Sequence, residues 1–259
     1  MADPKRWARG EFCWYELGTR NLEAAKRFYS GLFGWSAREV PMGPDDTYTM
    51  LEIGGRVVGG AYVLKGAAYE GVPAHWLAYV ATDALDADAA RALSLGGTAI
   101  VGPLDVPGVG RIVMIRDPQG AVVAMFQEGG NPGAARFDGI PGGFCWTELA
   151  ARDAVAAVAF YTGVFGWGTE KLDTGRVPYT QWRVGDRLVG GMMAIPPEWS
   201  GVPPHWMSYV SVRDCDAVAA QAEALGGRIV VPPQDVENVG RFAVLSDHEG
   251  AVLAVLKLA

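Results

Sequence analysis

Two short stretches carry a carboxylate inside an otherwise apolar, aromatic run: FCWYEL, residues 12–17, and FCWTEL, residues 144–149. Glu16 and Glu148 each stand two residues after a tryptophan, so on an extended strand indole and carboxylate share a face. Desolvation beside an indole raises a carboxylate's pKa, and a base nearer neutrality suits proton abstraction. The plain alternative is a structural hydrogen bond or ion pair, for Glu16 with Arg111 (Arg241 in the other copy) or His75. Of the three histidines, His75 and His205 open equivalent HW dipeptides. Either could assist as acid or base, serve as a metal ligand with Glu16 or Glu148, or simply begin a strand, hydrogen-bonded and half exposed. His248 has no equivalent, since Pro118 stands in its place.

The elements that must position these residues are written twice. RFYSGLFGW (27–35) answers AFYTGVFGW (159–167), RVVGGAYVL (56–64) answers RLVGGMMAI (187–195), GVPAHWLAYV (71–80) answers GVPPHWMSYV (201–210), and DPQGAVVAMF (117–126) answers DHEGAVLAVL (247–256). Such long self-similarity implies two homologous domains, 10–128 and 143–259, joined by a Gly/Pro-rich linker over 129–142. Within each copy the pattern alternates. FCWYEL predicts a strand, then Asn21 (Asp153) caps a helix through about Leu32 whose Leu22, Ala25, Phe28, Tyr29 and Leu32 recur at helical spacing. YTMLEI and RVVGGAYVL follow as strands. HWLAYVAT opens the pattern again, with a helix capped by Asp86 (Asp216), a stop at Gly96-Gly97 (Gly226-Gly227), and the strands TAIVGP, RIVMIRD and AVVAMFQ. The chain therefore holds four βαβββ units. The Gly-Gly pairs at 59–60 and 190–191 fit no phosphate-binding pattern and read as bulges.

Composition narrows the partners. Half of the 259 residues are hydrophobic and a fifth charged, as in a globular protein, and the net charge is -7. An acidic chain with scattered Lys and Arg argues against nucleic acid or an anionic membrane as partner. No run is long enough to span a bilayer and the N-terminus lacks the apolar segment of a signal peptide, so a cytoplasmic protein is expected. Cys13, Cys145 and Cys215 have no CxxC spacing and read as reduced, packed thiols. No GxSxG, HExxH or Cys-His nucleophile arrangement occurs.

The order of elements, with FYxxLFGW after the first strand and DPxGxxxxxF at the end, resembles the vicinal oxygen chelate superfamily of glyoxalase I, bleomycin-resistance proteins, fosfomycin-resistance enzymes and extradiol dioxygenases. It is most similar to two-domain bacterial members of hydroxylase-like or glyoxalase-like description. The resemblance implies an α+β fold of two tandem domains, each of paired βαβββ modules forming a curved mixed sheet, an open cup with helices on its convex side. It also implies where metal-dependent members hold their ligands. Those positions fall here on Trp14, near Gly60, near Leu77 and on Ala124, and in the second copy on Trp146, Gly191, Met207 and Ala254. None of these side chains is a His, Glu or Gln, so no metal and no cofactor are expected.

With Trp14 facing the cup, alternation puts Phe12, Trp14 and Glu16 on the concave face, with Cys13, Tyr15 and Leu17 turned to the helices. His75, Leu77 and Tyr79 share that face, as do Phe126 from the last strand and Phe144, Trp146, Glu148, His205, Met207 and Tyr209 in the second domain. The expected ligand contacts are thus Phe12, Trp14, Tyr79, Phe126, Phe144, Trp146, Met207 and Tyr209, with Glu16, Glu148, His75 and His205 as candidate catalytic groups. An apolar cavity with a few placed polar groups suits a small apolar or aromatic molecule. Three functions follow: metal-free binding of such a metabolite or drug, a metal-independent isomerase, lyase or hydroxylase-like enzyme of secondary metabolism using a cup glutamate as base, and a metalloenzyme of glyoxalase or dioxygenase type. Duplication makes a monomer with pseudo-twofold symmetry sufficient, while Trp7, Tyr69 or Trp199 could support a homodimer.

Overall fold

The computed structural model describes residues 7–43, 46–137, 139–172, 178–199 and 201–259. Residues 1–6, on which the reading of the N-terminus partly rests, and residue 138 of the expected linker lie outside them. The first module runs β1 (Phe12–Thr19), α1 (Leu22–Phe33), β2 (Ser36–Gly43), β3 (Asp46–Ile53) and β4 (Arg56–Val63). The second is β5 (His75–Ala81), α2 (Leu85–Ser94), β6 (Thr98–Val106), β7 (Gly110–Arg116) and β8 (Val122–Glu128). The repeat gives β9 (Phe144–Ala151), α3 (Ala154–Phe165), β10 (Gly168–Leu172), β11 (Tyr179–Val184) and β12 (Arg187–Ala194), then β13 (His205–Ser211), α4 (Cys215–Ala224), β14 (Arg228–Val236), β15 (Gly240–Ser246) and β16 (Val252–Leu258). Two mixed eight-stranded sheets result, ordered β2-β3-β4-β1-β5-β8-β7-β6 and β10-β11-β12-β9-β13-β16-β15-β14. The architecture is α+β in four βαβββ modules.

Local chemistry accounts for the helix ends. Asn21 accepts a hydrogen bond from the Ala24 N–H, and Gly34 closes α1 in the left-handed region at φ 69°. Asp153 accepts from the N–H groups of Val155 and Ala156, and Gly166 closes α3 at φ 71°. An L side chain at either closing glycine meets the steric penalty of positive φ. The expected caps of the other two helices are displaced. Asp86 lies inside the first turn of α2, which has no side-chain cap, and α4 is capped by Asp214 rather than Asp216. Asp86 and Asp216 instead chelate the guanidinium groups of Arg111 and Arg241. A bidentate pair with arginine draws the carboxylate away from the helix end.

The chain packs as two compact units, each drawn from both repeats. One comprises Met1–Cys13, Ala78–Gly133 and Trp146–Met207, the other Trp14–Leu77, Ala134–Cys145 and Ser208–Ala259. In the second, α1 and α4 bury Leu17, Phe28, Tyr29, Trp35, Val210 and Leu253 in one core. A polar chain is threaded through that core. The Trp76 indole donates to the Tyr29 hydroxyl at 2.9 Å, which donates to Asp247 Oδ2 at 3.1 Å, while Asp247 Oδ1 accepts from the N–H groups of Glu249 and Ala251. The first unit repeats the device: Trp206 donates to Tyr161 at 2.9 Å, Tyr161 donates to Asp117 Oδ2 at 2.9 Å, and Asp117 Oδ1 accepts from the Gln119 and Ala121 N–H groups. Burial first, then the adjacent aspartate, push both phenols well above their usual pKa, so they remain protonated donors.

The cysteines are free thiols. Burial raises Cys13 above the ordinary thiol range, Cys145 to about 12 and Cys215 to about 11. At pH 8 they should therefore react slowly with a thiol-disulfide reagent in the native protein and fully in denaturant, which stopped-flow absorbance reads directly. For the buried relay, Tyr29→Phe removes the hydroxyl between Trp76 and Asp247. The expected loss in urea unfolding is about 1–3 kcal/mol, the cost of leaving a buried acceptor unsatisfied, and Tyr161→Phe should match it.

Candidate functional site

β1 lies parallel to β4 with Glu16 opposite Gly60 and Gly18 opposite Tyr62. β3 runs antiparallel on the other side of β4. Leu17 points into the helical core, so Glu16 faces the opposite side of the sheet. The residue that meets it comes from two strands away. Tyr48 on β3 donates its hydroxyl hydrogen to Glu16 Oε1 at 2.6 Å, and the Trp14 indole N–H donates to the Tyr48 hydroxyl at 3.1 Å.

Tyr48 can reach Glu16 only because Gly60 stands between them. A Cβ at Gly60 would overlap the Tyr48 hydroxyl and ring, and one at neighbouring Gly59 would overlap the Tyr15 carbonyl oxygen. The Gly-Gly pair is therefore a slot for a phenol and a close approach of β1. The second copy is built alike: Trp146 donates to the Tyr179 hydroxyl at 2.8 Å, and Tyr179 donates to Glu148 Oε2 at 2.7 Å. A Cβ at Gly191 would overlap Tyr179, and one at Gly190 the Thr147 carbonyl oxygen. Burial, reinforced by the adjacent glutamate, holds Tyr48 and Tyr179 well above the usual phenol pKa. These tyrosines thus donate to the carboxylates across the neutral range.

Arg111 is not the partner of Glu16. It is held by Asp86 and Asp105, as Arg241 is by Asp216 and Asp235. His75 Nδ1 lies 2.8 Å from the Pro73 carbonyl oxygen and His205 Nδ1 2.8 Å from that of Pro203, the local bond of a strand start. His75 nevertheless borders the Glu16 face, because a Cβ at Gly18 would lie 3.0 Å from its Cε1.

Other expected contacts are placed differently. Phe12 is in the aromatic core of its unit, 5.7 Å from Trp167 and 5.3 Å from Trp206 between ring centroids. Phe144 stacks on Tyr15 at 3.8 Å and touches Trp35 and Trp76. At the start of each strand, burial against several rings offers more area than one face of the sheet, so both phenylalanines serve the core. Tyr79 and Phe126 are buried, Tyr79 pairing in register with Ala124. Met207 and Tyr209 are half-buried, the Tyr209 ring 6.4 Å from Phe242. The structure thus joins Trp14 with Glu16, and Trp146 with Glu148, and adds Tyr48 and Tyr179, which the sequence reading passed over. Their signal was present: a Tyr-Thr pair stands at equivalent places in both copies, Tyr48-Thr49 within β3 and Tyr179-Thr180 at the start of β11.

Residues 12–125 and 143–255 each match the model of the Glyoxalase/Bleomycin resistance protein/Dioxygenase superfamily. The chain belongs to this superfamily. It is 37% identical over 258 residues to "Putative glyoxylase CFP32" of Mycobacterium tuberculosis, covering 98% of each chain. It is 35% identical over 268 residues to the anthracycline biosynthesis protein DauV of Streptomyces sp. (strain C5), covering 98% of this chain and 95% of that one. Among solved structures it is similar to the Mn(II)-bound glyoxalase from Novosphingobium aromaticivorans, with a TM-score of 0.64 at 18% identity, covering 97% of this chain and 83% of that one. That likeness is one of fold.

Among the described residues, the donor set beside Glu16 and Glu148 does not match that of a metal centre. Among the described residues no three His, Cys, Asp or Glu side chains converge where they could hold one. Glu16 and Glu148 are each the acceptor of a tyrosine, and the strand position opposite each is a glycine filled by that tyrosine's ring. No membrane-length apolar helix occurs among the described residues.

Two outcomes test the slot. Gly60→Ala should cost about 1–3 kcal/mol in the parent and much less in a Tyr48→Ala background, so a double-mutant cycle should return a coupling of that order. In an absorbance titration at 295 nm, Tyr48 and Tyr179 should stay protonated where free phenols ionise. Because their folded pKa is raised, stability is intact below the unfolded phenol pKa near 10 and falls as pH climbs beyond it. Tyr48→Phe/Tyr179→Phe should flatten part of that alkaline loss.

Proposed function

We propose that this protein binds a small apolar or aromatic metabolite or drug without using a metal ion, on the sheet face that carries Glu16, on the one that carries Glu148, or on both. One observation carries the reading: each carboxylate is the end of a Trp-Tyr-Glu hydrogen-bond chain, built from indole and phenol where metal-binding relatives need donors to a cation. Indole and phenol offer flat apolar surface with a polar tip, which suits fused-ring ligands. The relationship to a protein of anthracycline biosynthesis supports the same class, since anthracyclines are fused-ring aromatics. Their oxygenated rings also match the polar atoms at these faces. We further propose that a monomer suffices for binding.

The second reading is a metal-independent enzyme of secondary metabolism with Glu16 or Glu148 as base. The 2.6 Å bond from Tyr48 favours it, because a carboxylate oriented by a phenol is held in one position for proton transfer. In that case His75 or His205 would assist.

Titration of chelator-treated protein with naphthalene, 1-naphthol and 1,8-dihydroxyanthraquinone, followed by tryptophan fluorescence, separates these ideas. Saturable quenching that is unchanged by added Mn(II) is the expected result. Absence of saturable binding by all three, or binding that appears only with Mn(II), contradicts it. Ligand consumption abolished in Glu16→Gln/Glu148→Gln would move the assignment to the enzyme.

A further inference from the structure

The two copies share the Trp-Tyr-Glu chain but differ just beyond it. In the first, Gly18 follows Glu16 by two residues on the same face and pairs in register with Tyr62. A Cβ at Gly18 would lie 3.0 Å from His75 Cε1 and 3.1 Å from both Leu64 Cδ2 and the Tyr62 hydroxyl oxygen, so the missing side chain lets the imidazole and the phenol converge, beside Leu64, over one strand position. In the second copy Ala150 and Met193 occupy the places of Gly18 and Tyr62. The extra methyl and the thioether leave an apolar surface beside Glu148, with no strong hydrogen-bonding group at that position.

Tyr62 is half-buried, its ring 5.8 Å from that of Tyr69, and its hydroxyl makes no hydrogen bond among the described residues. Burial, then the charge of Glu16, push this phenol above its usual pKa, so it is a protonated donor and acceptor. His75 Nδ1 is engaged by the Pro73 carbonyl, which requires the N–H there, so that in the neutral imidazole Nε2 is the acceptor. No described residue hydrogen-bonds to either atom. A half-buried phenol with no partner among the described residues, beside an imidazole anchored at Nδ1, has the makeup of a recognition pair.

We propose that the first copy recognises a hydroxylated aromatic ring through this pair and that the second copy does not, which makes Tyr62 a specificity-determining residue. The ligand's phenolic O–H donates to His75 Nε2 while its oxygen accepts from the Tyr62 hydroxyl, and the ring lies along the Trp14–Tyr48 surface. The second copy, with Ala150 and Met193, takes apolar rings without distinguishing the hydroxyl. This assignment rests on the binding reading above and adds which copy reads the ligand's oxygen.

Isothermal titration of the full chain with 1-naphthol and with naphthalene tests it. The parent should bind 1-naphthol about tenfold more tightly than naphthalene, the worth of a hydrogen bond or two in a partly dry site. Tyr62→Phe should remove that preference while naphthalene still binds, and should leave the melting temperature unmoved, since the hydroxyl has no partner among the described residues. His75→Phe should also weaken 1-naphthol selectively. If Tyr62→Phe keeps the full preference, or if Met193→Leu abolishes it, the assignment to the first copy is overturned while the binding reading stands. If neither probe gives saturable heat with the parent protein, both fall.

Discussion

A tyrosine hydroxyl held between an indole N–H and a carboxylate, over a strand position with no side chain, is the constraint on which each sheet's candidate site depends. A half-buried carboxylate on a sheet face needs donors, and Tyr48 supplies one from the second strand away, across Gly60. Remove the glycine and the phenol is displaced; remove the phenol and both the Trp14 N–H and Glu16 lose a partner. Because the same three residue types and the same glycine recur around Glu148, the arrangement predates or has survived the divergence of the two copies.

A related device holds the interiors. The Trp76–Tyr29–Asp247 and Trp206–Tyr161–Asp117 chains each tie a helix of one repeat to the DxxG turn of the other. The turn aspartate is shared between folding its own loop, through two backbone N–H groups, and fixing a tyrosine on a distant helix. Because the hydroxyls and carboxylates of these two chains are all partnered, they add specificity of packing without a polar group of their own left unpaired. The outer face is then free to vary, and it has varied, at Gly18 against Ala150 and at Tyr62 against Met193.

Much of the fold is legible in the residues. Repetition of FCW, FYxG, GG, HW and DxxG marks four modules, and Asn21, Asp153 and the glycines after α1 and α3 mark helix ends because capping is a local interaction. What fails to show is non-local. Tyr48 reads as one more alternating strand residue, and its link to Glu16 depends on the order β3-β4-β1, which no local pattern reveals. By charge alone Arg111 is a fitting partner for Glu16, yet its guanidinium is held by Asp86 and Asp105. Phe12 and Phe144 obey the alternation on paper but sit at strand ends, where neighbouring rings recruit them. The interleaving of the repeats into two compact units rests on contacts such as Tyr29 with Asp247, far apart in the chain.

Glu16 and Glu148 each accept a hydrogen bond from a phenol of their own chain, and the proposed metal-free binding depends on that bond. The most direct measurement is an anomalous-difference map at the manganese edge from crystals of this protein grown with Mn(II). The account predicts no peak on either glutamate, with the Tyr48 and Tyr179 oxygens each in hydrogen-bond contact with their carboxylates. A manganese peak bonded to Glu16 or Glu148, with the tyrosine swung out of its glycine slot, would contradict it.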